Sequence, residues 1–162
     1  MTDGERVATV TGASRGIGRV IASRLAGSGM AEIVNHAGPP DGAKSLVGEI
    51  DTAEGRARAV QADVSSVTEM RALFDTAERE FGRGDVLVNN AEIMKLTVVV
   101  EADEDTFDRT IAVNLTGAFN GMRESVRRHH DGSRIVNVLC IIVGLYQPGT
   151  HSMPRPRPAS RR

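Results

Sequence analysis

Residues 7–18 read VATVTGASRGIG, an apolar stretch that runs into a glycine-rich turn. A turn of this kind commonly opens a helix and binds phosphate, because the first turn of a helix offers unpaired N–H groups and a positive dipole end. In this interpretation Gly12 permits the tight turn, Gly16 lets a pyrophosphate approach the backbone, and Gly18 lets the helix pack close to the strand. The stretch therefore predicts a dinucleotide site at the start of an α/β fold.

Strand and helix patterns alternate along the rest of the chain. The predicted strands are residues 6–11, 32–35, 57–61, 85–89 and 135–143, and the predicted helices are 16–26, 43–50, 67–81 and 105–128, the last broken near Gly117. The helical repeat predicts buried faces at Ile17, Ile21 and Leu25 in the first helix and at Met70, Leu73, Phe74, Ala77 and Phe81 in the third. Continuous apolar strands separated by helices indicate a doubly wound parallel sheet in the order 3-2-1-4-5. We expect one domain over residues 1–147 and a disordered Pro/Arg-rich tail over residues 148–162.

The composition argues against several classes of protein. The chain has 162 residues and a net charge of −1, which predicts one ordinary domain and no nucleic-acid partner. No apolar run reaches the length of a membrane span, and no leader pattern precedes the first predicted strand, so we expect no membrane association. The single cysteine, Cys140, cannot form an internal disulfide and fits a cytoplasmic location. No Cys/His cluster has metal-ligand spacing, so no metal is expected.

Four segments, in one order along the chain, resemble the short-chain dehydrogenase/reductase family. They are residues 11–18 (TGASRGIG), 62–64 (ADV), 87–91 (LVNNA) and 113–117 (VNLTG). The resemblance covers about residues 5–149. It implies a Rossmann-like fold, hydride transfer between NAD(P) and a small carbonyl or alcohol, and a homo-oligomer. The family continues with a further helix and strands, so we expect the fold of this chain to be incomplete at its C-terminal end.

The resemblance also assigns cofactor-binding residues. They are Thr11, Gly12, Ser14, Arg15, Gly16, Ile17, Gly18, His36, Asp63, Val64, Asn89, Asn90 and Ala91. It places Asp63 near the adenine amino group with Val64 against the ring, although Asp63 or a neighbouring serine could instead cap the following helix. Asn89 and Asn90 could likewise be turn residues rather than cofactor contacts.

The end of the second strand bears on the choice between NAD and NADP. NAD sites usually carry a carboxylate there for the ribose 2′-hydroxyl, whereas this chain has His36. Arg15 in the glycine turn could meet a 2′-phosphate, or it could be a solvated surface arginine. We therefore expect NADP rather than NAD. The glycine that the family has after Asn-Asn-Ala is Glu92 here, which either weakens cofactor binding or points to solvent.

The catalytic set that the resemblance implies is incomplete. Family members use an asparagine, a serine, a tyrosine and a lysine that lowers the pKa of the tyrosine. Only Asn114 matches, because the serine, tyrosine and lysine positions fall at Cys140, Met153 and Arg157. The only tyrosine, Tyr146, has no lysine after it and is interpreted as a packing or loop residue. We expect the chain to be inactive as a reductase.

Two origins of the last segment are compatible with the sequence. Residues 152–161 can be encoded so that a shifted reading frame gives Tyr-Ala-Ala-Ser-Lys, which resembles the family's Tyr-x-x-x-Lys segment, and a naturally diverged end is the alternative. The leading hypothesis is a truncated or frameshifted reductase of a 3-oxoacyl compound or related ketone. The alternatives are a catalytically dead dinucleotide-binding module and a non-functional fragment. We also expect Ile111, Leu115, Phe119 and Met122 to lack cover and the chain to self-associate or aggregate.

Overall fold

The computed structural model describes residues 5–95 and 97–138 of the chain. Within these ranges five parallel strands form one sheet in the order β3-β2-β1-β4-β5. The strands are β1 (Val7–Val10), β2 (Ala31–His36), β3 (Ala57–Gln61), β4 (Val86–Asn89) and β5 (Arg134–Asn137). The predicted fold class, a doubly wound α/β sheet, and the predicted strand order are both confirmed.

Helices cover both faces of the sheet. They are α1 (Gly16–Ala26), α2 (Asp41–Thr52), α3 (Val67–Phe81), α4 (Glu104–Ile111) and α5 (Gly117–Arg127), with a 3₁₀ turn at Val99–Glu101 and a π-helical turn at Ala112–Thr116. The predicted break in the long helix is this π-helical turn, which ends directly before Gly117. Among the described helices none is both long enough and apolar enough to cross a membrane.

Buried apolar side chains form one cluster on each face of the sheet, because successive strand residues point to opposite faces. The cluster on the α3 face includes Ile33, Leu87, Met70, Leu73 and Phe74, and the cluster on the α1 and α2 face includes Val10, Val34, Val88, Ala22 and Leu46. The predicted stripe of α3 is confirmed, with Phe81 partly buried at its end. Strands that are apolar on both sides therefore lie between two layers of helices.

The buried stripe of α1 differs from the predicted one. Gly18 and Ala22 are buried, and Ile21 and Leu25 pack against the core beside them. Ile17 is 65% exposed, so the prediction that it faces the core was wrong. The small residues at positions 18 and 22 let the backbone of α1 lie close to the structure beneath it, and this turns Ile17 towards the surface.

One carboxyl group interrupts the apolar interior. Glu32 on β2 is fully buried, and neither carboxyl oxygen has a hydrogen-bond partner among the described residues. The backbone register places it between Ala8 of β1 and Ala57 of β3. Burial raises the pKa of Glu32 to about 9, so this carboxyl group is protonated at neutral pH.

An apolar face runs along α4, the π-helical turn and α5. Its large exposed side chains are Phe107, Ile111, Leu115, Phe119 and Val126. Met122, which was also expected to lack cover, is half-buried, with its sulfur 3.9 Å from Nδ2 of Asn137. All four residues of β5 are exposed. The predicted continuation of this strand to residue 143 and the predicted tail lie outside the described residues.

We expect the purified chain to self-associate through this face, because contiguous exposed apolar surface is uncommon on monomers. Size-exclusion chromatography should show an elution volume that depends on concentration, and Phe119→Asp should shift it towards the monomer. Val20→Asp is the matched control, since Val20 on α1 is also exposed, at 62%, but lies on another helix. A compact monomer at every concentration, with a sharp cooperative thermal transition, would contradict this expectation.

Candidate dinucleotide-binding site

The glycine turn between β1 and α1 leaves the amino end of a helix open. Gly12 and Gly16 have φ of +65° and +58°, a left-handed backbone that favours glycine. Apart from Gly16 itself, its chain neighbours and the backbone of its own helix, no heavy atom of the described residues lies within 4 Å of the position that a Cβ on Gly16 would occupy. Arg15, the N-cap of α1, makes no side-chain cap, and the first turn contains no acidic residue. Ser14 is half-buried where its carbonyl oxygen approaches Gly42 of α2. The first N–H groups of α1 can therefore meet an anion.

Gly18 lets α1 lie directly against the turn that precedes it. A Cβ at this position would lie 2.7 Å from the carbonyl oxygen of Gly12 and would also overlap the side-chain amide of Asn90. Gly12 is confined in the same way, because a Cβ on it would lie 2.9 Å from the Cα of Ala91. The close packing expected at Gly18 is observed, but its neighbours are the glycine turn and the segment after β4 rather than strand β1.

Hydrogen bonds join the glycine turn to the segment after β4. Thr11 Oγ1 accepts from the backbone N–H groups of Asn90 (2.9 Å) and Ala91 (3.0 Å). The Thr11 hydroxyl donates to the carbonyl oxygen of Val88 at 3.3 Å. Asn90 Nδ2 donates to the carbonyl oxygen of Thr11 at 2.9 Å. These contacts support the alternative interpretation of Asn90 as a residue that fixes a turn, and its cofactor contact stays a prediction.

Asn35 is a site residue that the sequence analysis missed. It is buried, and its Oδ1 accepts from the N–H of Gly12 at 3.1 Å. Its Nδ2 donates to the carbonyl oxygen of Ala62 at 3.0 Å, and its own carbonyl accepts from the N–H of Ala13 at 2.8 Å. One side chain therefore links the glycine turn, β2 and the end of β3. An amide that directly follows the apolar pair Ile33–Val34, near the carboxyl end of β2, was the signal that could have identified it.

A second polar cluster lies just beyond β3. Asp63 Oδ1 accepts from the N–H and the hydroxyl of Ser65 (2.9 and 2.7 Å), and Oδ2 accepts from Nη2 of Arg109 (2.8 Å). The cap of α3 is Ser66, whose Oγ accepts from the N–H of Glu69 at 3.3 Å, so the alternative that Asp63 caps this helix was wrong. Partial burial raises the pKa of Asp63, but the hydrogen bonds from Ser65 and the guanidinium of Arg109 outweigh it and hold that pKa below its ordinary value.

The side chains of two predicted cofactor-binding residues make contacts with other parts of the protein. Val64 is buried against α5, where a Cβ on Gly117 would overlap its side chain. Asn89 Nδ2 donates to Oδ1 of Asn137 (2.9 Å) and to the carbonyl oxygen of Ala118 (3.3 Å). Val64 thus packs on α5, and Asn89 joins the end of β4 to α5 and to β5. The cofactor contacts of both residues stay predictions.

The residues expected to decide between NAD and NADP differ in how far their side chains are exposed to solvent. His36 ends β2 and is buried, with Nδ1 lying 2.8 Å from the carbonyl oxygen of Gly38. Because a carbonyl oxygen can only accept, Nδ1 carries the proton in this contact. Arg15 and Ile17 are exposed. Glu92 is also exposed, so of its two interpretations the one in which it points to solvent agrees with the structure.

Asn114 lies in the π-helical turn and binds the segment after β4. Its Oδ1 accepts from the N–H of Ile93 and its Nδ2 donates to the carbonyl oxygen of the same residue, both at 2.9 Å. This two-point contact fixes the position of the loop relative to the helix. The other predicted catalytic positions, Cys140, Met153 and Arg157, lie outside the described residues, as does Tyr146.

The predicted residues meet at the carboxyl edge of the sheet. The neighbours of β1 are β2 on one side and β4 on the other, so the glycine turn stands at the point where the strand order reverses. His36 is the last residue of β2 and Asp63 follows β3, whereas Asn90 and Asn114 lie on the β4 side. This arrangement defines the class of doubly wound α/β proteins with a glycine-rich phosphate-binding turn at the switch point.

Within that class, the chain belongs to the short-chain dehydrogenase/reductase family, because the model of the family described as short chain dehydrogenase matches residues 6–151. A 3-oxoacyl-acyl-carrier-protein reductase of Staphylococcus epidermidis is 39% identical over 145 residues, which are 88% of this chain and 59% of the relative. The chain spans about half the length of the curated relatives that it matches.

Solved structures agree with this assignment. A dehydrogenase/reductase from Sinorhizobium meliloti superposes with a TM-score of 0.87 at 33% identity, covering 92% of this chain and 59% of that one. A blue fluorescent protein from a metagenomic library, solved in complex with NADPH, has a TM-score of 0.78 at 34% identity and covers 85% of this chain and 56% of its own.

Proposed function

We propose that this chain binds NADP(H) at the carboxyl edge of its sheet and that the 162-residue chain does not itself reduce carbonyl compounds. The observation that carries the proposal is the open amino end of α1, where a Cβ on Gly16 would meet no atom from any other described segment within 4 Å. An uncapped helix end without acidic residues in its first turn favours a pyrophosphate. A dinucleotide therefore fits the residues present.

The proposed cofactor contacts divide between the two sides of the glycine turn. The turn itself would hold the phosphates, Asp63 would accept from the adenine amino group, and Asn90 and Ala91 would border the nicotinamide side. The full proposed set is Thr11, Gly12, Ser14, Arg15, Gly16, Ile17, Gly18, His36, Asp63, Val64, Asn89, Asn90 and Ala91. Residues such as Thr11 and Asn90 would act by holding the backbone in shape, because their side chains are bonded to each other's segments.

NADP rather than NAD is supported by the charges near the end of β2. That strand ends in His36, where an NAD site would have a carboxylate. Arg15 offers an exposed guanidinium in the adjacent turn, and a guanidinium binds a phosphate with charge-assisted hydrogen bonds. The NADPH complex of one structural neighbour agrees with this choice.

NADP⁺ is expected to bind about ten-fold more tightly than NAD⁺, which is the effect of one hydrogen-bonded charge pair. Arg15→Ala should remove that preference by weakening NADP⁺ alone, and Gly16→Val should weaken both dinucleotides, because a β-branched residue is strained at its φ of +58°. Titration calorimetry measures both effects. Arg24→Ala, an exposed arginine at the other end of α1, is the matched control and should change neither affinity. Tighter binding of NAD⁺, or no effect of Gly16→Val, would contradict the assignment.

The proposed lack of reductase activity rests on the 162 residues containing no tyrosine followed four residues later by a lysine. When bound, NADPH supplies a hydride to a carbonyl carbon, and the carbonyl oxygen must then receive a proton from the protein. Asn114 has no acidic proton to give, and its amide is engaged with Ile93. The lysines of the chain are Lys44 and Lys95, far upstream of its only tyrosine, Tyr146. For the lineage of this chain we propose a 3-oxoacyl compound or related ketone as substrate, and the similarity to a 3-oxoacyl-acyl-carrier-protein reductase supports this.

We expect no NADPH oxidation above background when the chain is given a panel of ketones and acyl thioesters. Absorbance at the nicotinamide band follows the reaction. Turnover that Tyr146→Phe abolishes would make Tyr146 the donor, and turnover that survives both Asn114→Ala and Cys140→Ala would show chemistry of another kind. Either result would contradict the proposal. Dinucleotide binding without turnover would distinguish a binding module from a non-functional fragment, which should not bind.

A further inference from the structure

We infer that Arg109 is a positioning residue that fixes the Asp63 carboxylate as a hydrogen-bond acceptor at the base end of the cofactor site, so that the site selects an amino-substituted purine over a keto-substituted one. The inference rests on the proposed function, in which Asp63 faces the base. It adds Arg109, a residue of α4 that lies outside the glycine turn, and gives this residue a measurable role in the choice of base.

The side chains of Asp63, Ser65 and Arg109 form a closed ring of hydrogen bonds just beyond β3. Arg109 donates through Nη2 to Asp63 Oδ2 (2.8 Å) and through Nη1 to Ser65 Oγ (3.0 Å). The Ser65 hydroxyl donates in turn to Asp63 Oδ1 (2.7 Å). The guanidinium is planar and its two donors have a fixed spacing, so this ring sets the plane of the carboxylate.

The carboxylate is held before any ligand arrives. Besides the ring, the backbone N–H of Asp63 donates to Oε2 of Glu69 at 2.8 Å, which fixes the main chain beneath it. The Asp63 side chain is nevertheless 30% exposed. Oδ1 accepts two hydrogen bonds from Ser65, whereas Oδ2 accepts one from Arg109 and keeps a second lone pair for a ligand. The acceptor is thus both pre-oriented and reachable from the crevice, and pre-organisation of this kind reduces the entropic cost of binding.

Ionisation gives this acceptor its selectivity. The bonds from Ser65 and Arg109 keep the pKa of Asp63 below its ordinary value, so the carboxylate is ionised at neutral pH and has no proton to donate. Adenine presents an amino group, which donates, whereas hypoxanthine presents a carbonyl oxygen at the same position, which accepts. A fixed anionic acceptor therefore favours adenine and opposes hypoxanthine.

The test compares the affinities of NADP⁺ and its hypoxanthine analogue by titration calorimetry. The two probes share every phosphate and ribose contact, so partial loss of folding lowers both affinities equally and leaves their ratio unchanged. We expect the unaltered chain to prefer NADP⁺ by about ten-fold. Arg109→Gln should reduce the ratio to less than about three-fold, and Arg109→Lys, which keeps the charge but not the two-donor geometry, should restore part of it. Arg56→Gln, at an arginine that pairs with Glu5 at the opposite end of β3, is the matched control and should keep the full ratio.

The outcomes separate this inference from the proposed function. Binding of both dinucleotides with equal affinity would overturn the inference together with the proposed contact between Asp63 and adenine, and would leave the proposed binding of NADP(H) standing. A ten-fold preference that survives Arg109→Gln would also overturn it, because Asp63 would need no help from Arg109. Absence of binding to the unaltered chain would overturn the proposed function and the inference together.

Discussion

Glu32→Gln is expected to raise the free energy of unfolding by about 4 kcal/mol at pH 8 and to remove most of its dependence on pH above neutrality. Glu32 is fully buried and its carboxyl oxygens have no partner among the described residues. Burial raises its pKa in the folded state from 4.5 to about 9. Between those two values the folded chain keeps a proton that the unfolded chain releases.

The sign of the effect follows from that difference in bound protons. The contribution of Glu32 is fully present below the unfolded pKa, and it declines by about 1.4 kcal/mol per pH unit as the pH rises towards the folded pKa. Asp63 and Glu124 have lowered pKa values, so their contributions are lost only as the pH falls into the acid range. Among the described carboxyl groups with a shifted pKa, Glu32 is the one whose contribution falls as the pH rises. Since whole domains are stable by only about 5–15 kcal/mol, the effect is large.

Urea denaturation of the unaltered chain and of Glu32→Gln at pH 6, 7 and 8 measures the slope. Glu101→Gln removes an exposed carboxylate and is the matched control, with an expected change below about 0.5 kcal/mol at each pH. Parallel pH profiles for the unaltered chain and Glu32→Gln would show that Glu32 ionises freely in the folded state and would contradict the prediction.

Gly18→Ala is expected to destabilise the fold by about 2 kcal/mol and to weaken dinucleotide binding. The new Cβ would lie 2.7 Å from the carbonyl oxygen of Gly12, which is backbone and cannot rotate away. Relief requires α1 to move outward, and that movement displaces the glycine turn that we propose to hold the phosphates. The loss of stability and the loss of affinity should therefore appear together.

Gly48→Ala is the matched control, because it is the same substitution in another helix and is expected to stabilise the fold. Gly48 is exposed within α2, and a Cβ there would meet nothing within 4 Å. Alanine is the better helix former, so this variant should be more stable by about 0.5–1 kcal/mol. Thermal melts and calorimetry on both variants make the comparison. If Gly18→Ala behaved like Gly48→Ala, the close packing at the glycine turn would be refuted.

The sheet and its order could be predicted because they depend on local patterns. Residues 57–61 and 67–81 were placed with the bounds that the structure has, since a short apolar strand and a helical stripe are visible in consecutive residues. The prediction that Ile17 is buried was wrong because its spacing fits the apolar stripe of α1 as well as the spacing of Ile21 and Leu25 does. The competing factor was the absence of a side chain at Gly18, which draws that side of the helix inward.

The polar interior could not be predicted in the same way. A polar residue in a strand usually marks a solvent-facing position, yet β2 is covered on both faces, so Glu32 and Asn35 are both buried. Arg109 and Asp63 are 46 residues apart, and nothing local connects them. The sequence thus indicated which loops form the site, whereas the contacts that hold those loops depend on tertiary packing.

The bonds between Thr11 and the segment after β4 bear on the order of events during folding. The hydroxyl of Thr11 is held by the backbone of residues 79 and 80 positions further along the chain. Contacts of such separation close a long loop and so form late. Strands β1, β2 and β3 can assemble, and Asn35 can bind Gly12, while the Thr11 hydroxyl still lacks the backbone donors that follow β4. The turn is then held from one side only, so a nascent chain that has not yet added β4 would carry the glycine-rich sequence without the full set of bonds that shapes the turn.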